Sequence, residues 1–185
     1  QLVAALSQPG GSPTSELCAV LARRYLPPLF ALAEIPFSLE AREHVKAGLL
    51  ACLGSASHPP SLRRKLCSLV GRLGAEFHAA GSWPQLSAFI AAACADGAAP
   101  EVHESALSVL SHMAPALVEP AAWAACGQSV QATLVDGLGA ARAPAVRQAA
   151  LASLAALLRT SAAAEQEAER ELRSPADDKA RKAAK

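Results

Sequence analysis

Three stretches of this chain read as one phrase: Leu62–Leu73 (LRRKLCSLVGRL), Val102–Met113 (VHESALSVLSHM) and Val146–Leu157 (VRQAALASLAAL). Their first residues lie 40 and 44 positions apart. In each, apolar residues fall at the first position and at offsets of about four, eight and eleven, which is the period of one helix face. The segments between the phrases repeat as well: Leu86, Ile90 and Cys94 match Val130, Leu134 and Leu138 at a spacing of 44. A unit of two helices recurring at this interval predicts an all-α array in which each unit buries its apolar face against the next.

The period belongs to the HEAT class of α-solenoid, whose repeats run about 40 to 47 residues. Pro and Gly clusters divide the chain into helix pairs. They predict helices over Pro13 to Leu26, stopped by Pro27 and Pro28, then over Ser38 to Leu53 and from Ser61 to Phe77. Further helices are predicted over Trp83 to Ala95, with Ser82 as cap, and over Pro100 to Ala114, Ala121 to Leu138 and Ala143 to Thr160. Residues 1–160 thus read as about four repeats, the first truncated, since Gln1–Gln8 looks like the second half of a helix. Ser161–Lys185 carries six acids and six bases with Leu172 as its one large apolar residue. Such a segment predicts an isolated helix near Ala163–Arg173 followed by a disordered end.

Composition narrows the function. Of 185 residues 52% are hydrophobic but only 4% aromatic, because alanine dominates, which favours close helix packing. A net charge of +1 supplies no global field toward nucleic acid or anionic lipid. Cys18, Cys52, Cys67, Cys94 and Cys126 sit in helical apolar patterns without metal-ligand spacing and read as free thiols of a reducing compartment. The five histidines form no ligand set. Neither Glu40 with Glu43 nor Glu101 with Glu104 has a pocket predicted for acid–base work. Gly137–Arg142 (GLGAAR) begins like a dinucleotide loop but follows a helix and lacks the last glycine, so it reads as a turn. No catalytic residue, cofactor, metal, small-molecule substrate or membrane partner is predicted. Trp83 and Trp123, 40 residues apart, read as anchors of inter-repeat turns.

The faces opposite the core carry the remaining information. Turning Leu62, Leu66, Leu69, Leu73 and Phe77 inward presents Arg64, Ser68 and Arg72 outward as a ridge. The same register presents Glu104, Ser108 and His112, then Gln148, Ala152 and Ala156, with Arg23 joining from the preceding helix and Arg24 nearer the core.

The strings LCAVLARRYL (Leu17–Leu26), GLLACL, SLRRKLCSLVGRLGAEF, SWPQLSAFIAAAC and EVHESALSVLSHMAPAL, in that order, resemble the amino-terminal region of importin-β (karyopherin-β) nuclear transport receptors, closest to the importin-four and importin-five branch. The resemblance implies a protein shuttling between cytoplasm and nucleus. It implies that second helices, here those beginning near Thr14, Ser61 and Glu101, face Ran-GTP, while first helices meet phenylalanine-glycine nucleoporins and later repeats hold most import cargo. A generic HEAT scaffold for cytosolic assemblies is the alternative. A HEAT-like DNA glycosylase, which would need a strongly basic face, ranks third.

Overall fold

The computed structural model describes residues 1–8, 11–31, 38–78 and 82–183, with side chains as far as Arg170. The described residues form eight helices in antiparallel pairs: α1 (Leu2–Leu6), α2 (Pro13–Ala31), α3 (Leu39–Leu53), α4 (Pro60–His78), α5 (Pro84–Ala93), α6 (Pro100–Leu117), α7 (Pro120–Gly137) and α8 (Pro144–Ala183). Six of them start on proline. A helix's first residue has no intrahelical partner for its N–H, so proline is tolerated there and its φ is already helical. The prolines that punctuate the sequence therefore set the register of the repeat. With Pro13, Pro60, Pro100 and Pro144 superposed, the phrase recurs four times rather than three. Ala19, Leu66, Ala106 and Ala150 become equivalent, as do Ala22, Leu69, Val109 and Ser153, and all eight are buried.

The even helices form one tightly packed wall, α2 on α4 on α6 on α8, while the odd helices touch one another only sparsely. A stack that is close on one wall and splayed on the other curves toward the close wall, so the even helices line the inner face. Small residues permit the approach. A Cβ on Gly71 would meet the His112 side chain and lie 3.0 Å from the Val109 carbonyl, and one on Gly137 would lie 3.0 Å from Ala150 Cβ. Polar groups cross the joints too. The Ser153 hydroxyl, fully buried, donates to the Leu107 carbonyl on α6 at 2.5 Å.

Each joint also carries an ion pair: Lys65 with Glu16 at 2.5 Å between α4 and α2, Arg63 with Glu104 at 3.7 Å between α4 and α6, and Arg142 with Asp96 at 2.9 Å between neighbouring turns. On the outer wall Lys46 is 5% exposed, its ammonium 4.3 Å from the Phe77 ring centre and donating to the Ser82 carbonyl at 2.9 Å. Burying that charge is tolerable because Glu43, a carbonyl and an aromatic face surround it.

Three local expectations are corrected. The second helix does not stop at Pro27 and Pro28 but runs through them to Ala31. Leu26, Pro27 and Phe30 are buried, and that burial offsets the hydrogen bonds the two prolines forfeit. Ser82 does not cap α5. The cap position is Trp83, whose buried ring meets Phe77 edge-on at 6.0 Å. Arg24 is exposed rather than near the core, its guanidinium 5.5 Å from the Tyr25 ring centre. Ser38 does cap α3, accepting from the Ala41 N–H at 3.1 Å. No break occurs at Thr160, where α8 continues as one helix with residues 162–170 exposed.

Leu66→Ala and Leu110→Ala should each cost about 2–5 kcal/mol in chemical denaturation, as buried leucines do. Leu151→Ala, at a side chain 56% exposed, should stay within about 0.5 kcal/mol. Equal costs at the three sites would show the helix faces to be misassigned.

Candidate functional site on the inner wall

The inner wall is where these helices present side chains free of the core. Arg64 and Arg72 stand exposed on α4, and the Arg64 Nε donates to the Pro60 carbonyl at 3.3 Å, which lays the side chain along its own helix. Ser68, between them, is half-buried. On α6, His112 is exposed while Glu104 and Ser108 are half-buried. Gln148 on α8 is exposed beside Ala152. Arg64, Glu104 and Ser108 line one small cleft between α4 and α6 together with Arg63 and Cys67.

Arg63, which sequence reasoning passed over in favour of its neighbour, is buried in that cleft, as Cys67 is. Its Nη1 donates to the Glu101 carbonyl at 2.8 Å and its Nη2 approaches Glu104 at 3.7 Å. Glu104 is therefore partly committed to the joint. A signal existed: Arg63 follows Leu62 directly and is equivalent to His103, which is also buried.

Arg23 is exposed, but the proline register places it level with Val70 and Leu110 rather than with Arg64. Its charge still reaches across α4 toward His112. There the packing of its Cβ against Gly71 on α4 partly desolvates the imidazole, and this, reinforced by Arg23, holds it below its ordinary range. The α2 residues that align with Arg64, Ser68 and Arg72 are Leu17, Leu21 and Tyr25, and sequence reasoning did not single them out.

The chemistry of the wall is that of a contact surface. Burial pushes the Cys67 thiol up to about 11, well away from thiolate reactivity at neutral pH. Among the described residues no cluster of His, Cys, Asp or Glu could hold a metal ion, and no helix is long and apolar enough to cross a membrane. A cavity of about 310 Å³ lies between α7 and α8 and is lined chiefly by apolar residues including Trp123, Leu154 and Leu158.

The profile of a family described as "IPO5-like, TPR repeats" matches residues 58–175. Of the solved structures, one titled "Kap95:Nup1 complex" superposes with a TM-score of 0.70 at 19% identity, over 92% of this chain and 21% of that one. The chain thus spans about a fifth of that structure's chain, and the likeness establishes the solenoid fold. No curated protein sequence matches the chain. The family match extends past Thr160, so it takes in part of the charged segment.

Two buried histidines give the array a pH dependence. His103 is depressed first by burial and then by the charge of Arg142, with Asp136 opposing, and His58 by burial and then by Arg63. Each takes up a proton less readily when folded than in the unfolded chain, whose histidines protonate below a pKa of about 6.5. The unfolded state then binds more protons, so stability is complete above that value and declines as the pH falls below it. The urea midpoint should accordingly be lower at pH 5.5 than at pH 7.5. An unchanged or higher midpoint at pH 5.5 would contradict the assignment.

Proposed function

We propose, because this chain belongs to the IPO5-like family of helical repeats, that it forms part of a nuclear import receptor and works as a binding surface rather than as a catalyst. The importin-β resemblance read from the sequence and the family match agree, and the observation that carries the reading is that match over residues 58–175. The repeat period, 40 and 44 residues, is of HEAT length rather than the roughly 34 of tetratricopeptide repeats. Both are two-helix solenoid units, and the surface logic is the same.

In this reading the inner wall meets Ran carrying GTP, through Arg23, Arg64, Ser68, Arg72, Glu104, Ser108, His112 and Gln148. The splayed outer helices α3, α5 and α7 meet phenylalanine-glycine nucleoporins. That the matched solenoid was solved in complex with Nup1 supports a nucleoporin partner. Ran-GTP would favour a curvature that import cargo does not, and the two would displace each other by reciprocal coupling. The protein would shuttle between cytoplasm and nucleus. Small differences in joint angle, summed along the even wall, supply the curvature change.

Reversing Arg23, Arg64 and Arg72 together to Glu should weaken Ran-GTP binding while leaving helicity intact. Each exposed charge contributes about 0.2–1 kcal/mol, mostly through association rate, so single reversals stay near the limit of detection. Binding of wild type and triple variant to Ran-GTP and Ran-GDP, at low and high salt, checks this. Tight binding unaltered in the triple variant would remove the ridge from the interface. Indifference of wild type to the bound nucleotide would favour a general scaffold.

A further inference from the structure

We draw no further inference here: the strongest candidate, the apolar cavity of about 310 Å³ between α7 and α8 lined by Trp123, Leu134, Leu154 and Leu158, is an unpartnered face, and nothing in the structure shows what covers it.

Discussion

Everything in this array depends on how closely its even helices approach one another. A single helix pair of this sequence cannot bury both faces of its inner helix, and the joint between pairs completes the core. Small side chains make that joint possible. Gly71 admits His112, and Ala19, Ala106 and Ala150 hold a stripe position where only α4 has a leucine, while Gly137 at the end of α7 lets that helix lie close against Ala150 and Leu107. Helices this close interdigitate at near-crystalline density, so an added methyl at a joint displaces a whole repeat. The alanine-rich composition thus has a structural use, and the scarcity of aromatics follows from it.

Each joint is also specified electrostatically. Apolar stripes that repeat four times allow one helix to slide along the next by a turn. The pairs Glu16–Lys65, Arg63–Glu104 and Arg142–Asp96 differ in order of sign and in depth, and each closes in a single register. At Arg142, whose partner Asp96 is fully exposed, such a pair adds little to stability. Its value lies in fixing alignment, much as a single polar residue fixes register in a coiled coil. The buried Arg63 shares that task with a carbonyl across the joint, the Glu101 oxygen accepting from its Nη1.

How much of this was legible follows from what periodicity can and cannot report. A face that recurs every 3.6 residues and a phrase that recurs every 40 to 44 made the solenoid visible, and Pro100 and Pro144 announced their helix starts. The same rule misled at Pro27 and Pro28, because the breaking power of proline was outweighed by burial of Leu26 and Phe30, which no local reading supplies. Lys46 was invisible for a related reason. Its cage draws on α3, α4 and the turn before α5, and a lysine in an amphipathic helix ordinarily reads as surface. On α4, α6 and α8 the ridge residues share one set of positions in the proline register. On α2 the ridge was placed by the eye-catching Arg23–Arg24 pair, whereas the less conspicuous Pro13 sets the alignment and brings Leu17, Leu21 and Tyr25 to the wall.

That misplacement exposes how the chain divides its information. At the core position shared by Ala19, Leu66, Ala106 and Ala150 the four repeats agree in character, because packing leaves few choices. At the wall position shared by Leu17, Arg64, Glu104 and Gln148 they do not agree at all, passing from apolar to basic to acidic to neutral along the inner face. Apart from Glu104, which also pairs with Arg63 across the joint, nothing in folding requires that order, since these side chains are exposed and substitutions there cost little stability. A solenoid built this way holds its curvature with one set of residues and leaves another set free to vary. The wall can then be read as a sequence of four chemical surfaces, each able to meet a different part of a partner that lies along it.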